Sequence, residues 1–160
     1  MMFKKSFVII IFAIILDQLT KYLILSKFSW GGTGTQNTEE VTSFFNIVLV
    51  WNRGVSFGMF ANATYAPYIF SVLTIIIIII LLFMIKNSHS NFDVVGYSLI
   101  IGGAIGNLID RIRFGAVIDF LDFHMAHNHW PAFNLADSFI CVGAVMIIFE
   151  SFILWLLNRR

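Results

Sequence analysis

Four long apolar stretches constrain this chain more than any other feature. A helix needs roughly 20 apolar residues to cross the hydrocarbon core of a membrane, and an isolated span in lipid can satisfy its backbone polar groups only as a helix. The stretches occupy about residues 6–25, 68–85, 94–112 and 137–157. The 160-residue chain is 59% hydrophobic and 12% charged, whereas soluble domains are about 25% charged. We therefore predict an all-α membrane protein with four transmembrane helices, forming one integral membrane domain over residues 1–160.

The first stretch also resembles a secretory signal peptide, because Lys4 and Lys5 precede its apolar run. It continues into Asp17 and Lys21 without a small-residue cleavage site, so we predict a retained helix instead. Basic residues near the ends of spans set the orientation of a membrane protein, the richer side being cytoplasmic. With four spans, one side collects Lys4, Lys5, Lys86, Arg159 and Arg160. Both termini are therefore predicted to be cytoplasmic, and basic residues near the other side weaken this bias without reversing it.

The two longer connections, residues 26–67 and 113–136, are then predicted to be extracytoplasmic. The first contains a glycine-rich part at residues 31–35 and a run of β-forming residues at 44–51. This run predicts a small β-rich cradle that lies against the outer membrane surface. The net charge of +1 gives no indication of a nucleic-acid partner. The single cysteine, Cys141, excludes an internal disulfide and is predicted to be a packing residue.

Polar residues inside the first span have two interpretations. Asp17 and Lys21 lie four residues apart on one helix face, in the favourable acid-before-base order. In the first, they form a local ion pair, and Lys21 reaches outward to the membrane surface. In the second, the Asp17 carboxylate supports a site at the outer end of the bundle.

The third span combines small residues with a polar face. Gly102 and Gly106 form a pair that allows another helix to approach closely. Asn107, Asp110 and Arg111 lie at positions i, i+3 and i+4, which places them on one face of the last turns. The face indicates a buried hydrogen-bonded network between helices, a network that positions substrate or catalytic groups, or both.

Three further aspartates lie around the second long connection. Asp119 follows the third span, and Asp137 opens the fourth, where the helix N-terminus favours a carboxylate. They are about 18 positions apart, and the loop between them is long enough to bring them together. Two carboxylates in contact share a proton, and such a pair can activate water and protonate a carbonyl oxygen in turn. This predicts amide hydrolysis without a metal or another cofactor. Asp122 is predicted to face the loop surface, in a structural role.

Other motifs indicate different chemistry. Gly54, Ser56 and Gly58 match a G-x-S-x-G nucleophile elbow, but that motif requires a strand–turn–helix in an α/β sheet. His124, His127 and His129 form a cluster of a residue type that often binds metal ions. The loop that carries them is short, and we predict no bound metal. Glu150, deep in the fourth span, is given no catalytic role, and it is a candidate for the cytoplasmic end of that helix.

Two classes of protein without proteolytic activity are alternatives. A small transporter or channel subunit would use Asp17 and Asp110 as an ion path, but no internal repeat is visible. A non-catalytic membrane assembly factor is the other alternative.

Five motifs, in order, resemble those of the bacterial lipoprotein signal peptidases, or signal peptidase II. They are DQLTK at 17–21, NRGVSF at 52–57, GAIGNLIDR at 103–111, VIDF at 117–120 and FNLADS at 133–138. The resemblance covers nearly the whole chain. It departs from the family pattern at Val55 and Ser56, where alanines are common.

The resemblance implies an aspartyl endopeptidase of the bacterial cytoplasmic (inner) membrane, with its active site at the outer, periplasmic face. Its substrate would be a prolipoprotein, cleaved just before a cysteine that carries diacylglycerol, and membrane lipid and a globomycin-type inhibitor would be further partners. Asp119 and Asp137 match the catalytic pair. The positions that match substrate-binding or dyad-supporting residues are Asp17, Asn52, Gly54, Gly103, Asn107, Asp110, Arg111 and Asn134.

Overall fold

The computed structural model describes residues 2–30, 38–54 and 65–157. Its helices are α1 (Met2–Trp30), α2 (Ala66–Asn87), α3 (Asn91–Phe114) and α4 (Leu135–Leu157). All four are long and apolar enough to cross a membrane, which confirms the predicted fold class. Each helix is longer than its predicted span, most clearly α1, which continues past residue 25 to Trp30.

Helix α3 lies at the centre of the bundle and packs against the other three. Its small residues make this possible. A side chain at Gly102 would collide with Ala13 of α1, and one at Gly103 would collide with the backbone oxygen of Ala136 in α4. Gly106, the second member of the predicted pair, faces Asp17 of α1. The glycines of α3 thus admit α1 on one side and α4 on another.

A four-stranded antiparallel sheet stands at one end of the bundle, with strand order β1-β2-β3-β4. Its strands are β1 (Thr38–Thr42), β2 (Phe45–Asn52), β3 (Val117–Met125) and β4 (Asn128–His129). The β-rich run predicted at residues 44–51 is β2. The interpretation of residues 113–136 as a loop is wrong, because this connection supplies both β3 and β4. Strand β3 has no regular alternation of apolar and polar residues, because it is buried over most of its length and carries Asp119 and Asp122 three residues apart.

A sharp turn joins α3 to β3. Gly115 caps the C-terminus of α3, and its φ of 66° lies in the left-handed region that glycine adopts without strain. The Gly115 N–H donates to the Arg111 carbonyl at 3.0 Å. Strand β3 begins two residues later, and the Ile118 N–H, just before Asp119, donates to Asp110 in the last turns of α3 at 3.2 Å.

Candidate active site

Asp119 lies in the middle of β3 and is buried. Asn52, at the end of the neighbouring strand β2, donates from Nδ2 to Asp119 Oδ2 at 3.0 Å. Asn134 donates from Nδ2 to Asp119 Oδ1 at 2.7 Å. Each carboxylate oxygen therefore has an amide donor from a different element.

Asp137 lies in the first turn of α4, where Asn134 caps the helix. The Asp137 N–H donates to Asn134 Oδ1 at 2.9 Å, and the Asn134 N–H donates back to Asp137 Oδ2 at 3.3 Å. This reciprocal pair is a capping box with aspartate at its third helical position. Asn107 of α3 donates from Nδ2 to the other oxygen, Oδ1, at 2.8 Å.

Asn134 connects the two carboxylates. Its side-chain amide binds Asp119, and its backbone N–H and side-chain oxygen bind Asp137. The same amide also donates to the Ile118 carbonyl and to Asn107 Oδ1, both at 3.2 Å. A residue with this many partners has one available orientation, so it fixes the two aspartates relative to each other.

A buried charged layer lies beneath this pair. Lys21 is 2% exposed and places its Nζ 2.9 Å from Asp17 and 2.7 Å from Asp110. It also donates to Asn107 Oδ1 at 3.0 Å, which orients the Asn107 amide N–H toward Asp137. The interpretation that Lys21 reaches outward to the membrane surface is wrong, because the lysine has three partners inside the bundle.

Gln18 completes this layer, and the sequence interpretation missed it. Its Nε2 lies 3.2 Å from Asp17 Oδ2 and 3.0 Å from Asp110 Oδ1. The sequence contained a signal for this role, because Gln18 is next to Asp17 and lies on the same helix face as Lys21. Asp17 in turn accepts from the Ala136 N–H at 3.0 Å, and Asp110 accepts from the Ile118 N–H at 3.2 Å. The layer therefore connects α1 and α3 to β3 and to the start of α4.

A cavity of about 660 Å³ opens beside the two aspartates and is lined by both of them. Its other walls come from α2, α3, α4 and the segment after β4, and they are mostly apolar. Cys141, predicted to be a packing residue, is exposed and lines this cavity. Arg111 also lines it, and its Nε is buried without a hydrogen-bond partner among the described residues. The partner of Asp110 is thus Lys21, not Arg111.

The environment of Asp119 disfavours its ionised form. Burial raises the pKa of Asp119 most, and the nearby charge of Asp137 raises it further. Hydrogen bonds from Asn52 and Asn134, and the charge of Lys21, oppose this shift, and the resulting pKa is about 7. A carboxyl with this pKa can hold or release a proton near neutral pH.

The remaining sequence candidates lie elsewhere. Asp122 is buried and binds Asn46 and His129, so the prediction that it faces the loop surface is wrong. Among the described residues, no group of three potential ligands has metal-site geometry. Ser90 binds Glu150 at the far end of the bundle, and α4 continues past Glu150 to Leu157.

Gly54 supports the site from the end of β2. It is buried, and its N–H donates to Asn52 Oδ1 at 3.0 Å, which turns the Asn52 amide N–H toward Asp119. The rest of the G-x-S-x-G match and the departures at Val55 and Ser56 lie outside the described residues.

These features define a class: a multi-pass membrane protein in which two linked carboxylates adjoin a largely apolar cavity between the helices. The sequence profile of the family described as "Signal peptidase (SPase) II" matches residues 9–153. The chain belongs to the signal peptidase II family and is an aspartic-type peptidase of a bacterial membrane, which confirms the resemblance seen in the sequence.

Individual relatives and solved structures agree with this family. A "Lipoprotein signal peptidase" of Burkholderia cenocepacia (strain HI2424) is 45% identical over 139 residues, which cover 86% of this chain and 81% of the relative. One of Janthinobacterium sp. (strain Marseille) is 44% identical over the same shares. A structure described as "Bacterial membrane enzyme structure by the in meso method at 2.3 A resolution" aligns with a TM-score of 0.78 and 33% identity, covering 93% of this chain and 88% of that one. A similar structure at 1.9 Å aligns with a TM-score of 0.74 and 33% identity, covering 92% of each chain.

Proposed function

We propose that this protein removes the signal peptide from prolipoproteins, cleaving just before a cysteine that carries diacylglycerol, and that Asp119 and Asp137 are its catalytic residues. The relatives' common name, lipoprotein signal peptidase, supports the substrate class. The observation that carries the catalytic assignment is that Asn134 binds both carboxylates where they line one cavity.

The aspartates act as a pair that shares one proton. The ionised carboxylate takes a proton from water as the water attacks the scissile carbonyl, and the protonated carboxyl donates to the carbonyl oxygen. The roles then exchange, and the leaving amine is protonated as the C–N bond breaks. Protons balance over the cycle, and the chemistry proceeds without a metal or a covalent intermediate. The pKa of Asp119, raised by burial to about 7, supports a shared proton near neutral pH.

The supporting residues act through position. Asn52 and Asn134 hold Asp119, Asn107 and Asn134 hold Asp137, and Gly54 orients Asn52. Asp17 binds the backbone at the start of α4, and Asp110 binds the backbone at the start of β3. Gly103 lets α4 approach α3 beside Asp137.

Arg111 is a candidate to bind the substrate, because the residue lines the cavity and its buried Nε has no hydrogen-bond partner among the described residues. We assign it to a carbonyl of the peptide near the scissile bond. Binding there would satisfy an N–H that is otherwise costly to bury.

The lipid part of the substrate enters from the membrane. The cavity has walls from three spans, including Ile77 of α2, Ile100 of α3 and Ile140 of α4. Such walls suit acyl chains and an apolar signal peptide, and the scissile amide then lies at the aspartates. A globomycin-type cyclic peptide would compete for the same cavity. We place the site at the outer face of the bacterial inner membrane, with both termini cytoplasmic.

The test is cleavage of a purified diacylglyceryl prolipoprotein by the purified protein. Asp119→Asn and Asp137→Asn should each reduce cleavage below detection, because neither amide can take part in the proton exchange. Thermal unfolding of each variant checks that the fold persists. Full activity in either folded variant would falsify the catalytic pair.

Asp122→Asn is the matched control, since it changes an aspartate on the same strand that does not line the cavity. Measured at saturating substrate, it should retain substantial cleavage. Wild-type activity should also persist in a metal chelator, and loss of activity there would point to the histidine cluster instead.

A further inference from the structure

Strand β3 carries two buried aspartates on opposite faces. Asp119 and Asp122 are three residues apart, and side chains alternate along a strand. Asp119 lines the cavity, whereas Asp122 is paired with Asn46 of β2 across the other face. The catalytic proposal uses only the first of them, which leaves a buried carboxylate without a function.

Asp122 ties three strands together. Asn46 of β2 donates from Nδ2 to Asp122 Oδ2 at 2.9 Å. Nδ1 of His129, on β4, lies 2.9 Å from both carboxylate oxygens. The His124 ring stacks on the His129 ring with centroids 4.9 Å apart. Burial raises the pKa of Asp122, but the hydrogen bonds from His129 and Asn46 and the nearby histidines outweigh it, so the pKa lies below its usual value. The carboxylate is ionised and can accept from both neighbours.

The segment that follows His129 forms part of the cavity. Residues 130–133, here called the 130–133 wall, all line it. At one end the Trp130 N–H donates to the Phe123 carbonyl at 2.7 Å, and at the other Phe133 pairs with Leu121 in both directions. Pro131, between them, has no N–H to donate.

Strand β4, which leads into this wall, has only two residues, paired as His124 with His129 and Met125 with Asn128. The Asp122–His129 contact adds a side-chain hydrogen bond to this short strand just before the wall. The other end leads into Asn134, which its own hydrogen bonds to Asp119, Asp137 and Ile118 hold in place.

We propose that Asp122 and His129 are positioning residues that hold the 130–133 wall against the peptide substrate. This rests on the proposed peptidase function. The contact acts on substrate binding and not on the reacting carboxylates, because Asn134 separates the wall from them. Its loss should raise KM and leave kcat nearly unchanged.

The experiment compares Asp122→Ala, His129→Ala and His129→Asn in the prolipoprotein cleavage assay. Asn places an amide N–H near the position of Nδ1, so His129→Asn should restore the hydrogen bond. We expect KM to rise about tenfold in the two alanine variants, as for loss of a hydrogen bond to a charged group, with kcat within about twofold of wild type and with His129→Asn close to wild type. His127→Ala is the control, because this exposed turn residue makes no side-chain hydrogen bond among the described residues.

Amide hydrogen exchange provides a second measurement that does not depend on cleavage. Exchange at Trp130 should accelerate about tenfold in His129→Ala and remain at the wild-type rate in His129→Asn. His129 is half exposed, so its alanine variant is expected to fold even if Asp122→Ala does not.

Unchanged KM and unchanged exchange in His129→Ala would overturn the proposal, and so would a fall in kcat at constant KM. Such results would leave the proposed function intact, provided that wild type cleaves and Asp119→Asn does not. Absence of cleavage by wild type would overturn the proposed function, while the exchange rates would still decide whether the contact holds the wall.

Discussion

Lys21 and Lys27 lie six residues apart on α1 in opposite environments. Lys21 is 2% exposed between Asp17 and Asp110, whereas Lys27 is 46% exposed and pairs with Glu39. A buried pair whose partner is removed leaves an uncompensated charge, while an exposed pair is screened by water. The same residue type therefore has a structural role at one position and a minor one at the other.

We predict that Lys21→Met lowers the free energy of unfolding by about 3–5 kcal/mol, because it leaves Asp17 and Asp110 without their cation. Lys27→Met, the matched control, should change it by less than about 1 kcal/mol. Thermal unfolding in detergent measures both. Equal effects of the two substitutions would contradict the structural role of the buried layer.

Asp119 gives the wild-type protein a pH-dependent stability. Its pKa is raised from 3.8 to about 7, so the folded state favours the protonated carboxyl. The stabilisation that comes from the protonated Asp119 carboxyl is fully present below the usual pKa of 3.8 and is lost as the pH rises to about 7. The loss is on the order of 4 kcal/mol.

We therefore predict that Asp119→Asn is more stable than wild type at pH 8, and that this advantage shrinks at pH 4.5, where Asp119 itself is largely protonated. Unfolding temperatures at the two pH values measure the difference. Asp122→Asn should show no such gain, because the pKa of Asp122 is shifted downward. A pH-independent difference between Asp119→Asn and wild type would contradict the assigned pKa.

At the scale of elements, the close packing of α3 and α4 determines where Asp137 lies. Gly103 admits the backbone of Ala136, the residue before Asp137, and Gly143 admits the backbone of Gly96 further along the same interface. Both positions exclude a Cβ, but only the first adjoins the proposed catalytic pair.

We predict that Gly103→Ala destabilises the protein by about 1–3 kcal/mol through overpacking, and that it lowers kcat about a hundredfold in the folded protein because it displaces Asp137. Gly143→Ala should destabilise similarly but leave kcat within a few-fold of wild type. The two measurements are thermal unfolding and cleavage rate per folded molecule. Equal kcat in the two variants would mean that α4 adjusts without moving the aspartate.

At the scale of the whole molecule, the sheet and the turn between α2 and α3 lie at opposite ends of the bundle. The proposed topology places the sheet outside and that turn in the cytoplasm. His127, on the β3–β4 turn, and His89, on the α2–α3 turn, are both exposed and can report the two sides.

We predict that a membrane-impermeant maleimide added to intact spheroplasts labels His127→Cys but not His89→Cys, each made in a Cys141→Ala background. Both should be labelled after the membrane is permeabilised. Labelling of His89→Cys alone in intact cells would reverse the orientation and place the aspartates at the cytoplasmic face.

The four spans can be recognised in the sequence alone, because each apolar stretch is long enough to cross the hydrocarbon core of a membrane. It also indicated β2 and the family motifs, since both depend on residues close together in the chain. The polar face of α3 was visible for the same reason, as Asn107 and Asp110 repeat with the helix period.

The roles of these elements and residues depend on contacts between distant parts of the chain. Strand β3 exists because β2, more than 60 residues earlier, pairs with it, and that pairing places Asp119 toward the cavity and Asp122 away from it. Lys21 is buried because Asp110, from another helix, joins Asp17 around it. Local periodicity specifies which face of an element is polar, but the partner of a buried charge comes from a distant part of the chain and is fixed only when the helices pack.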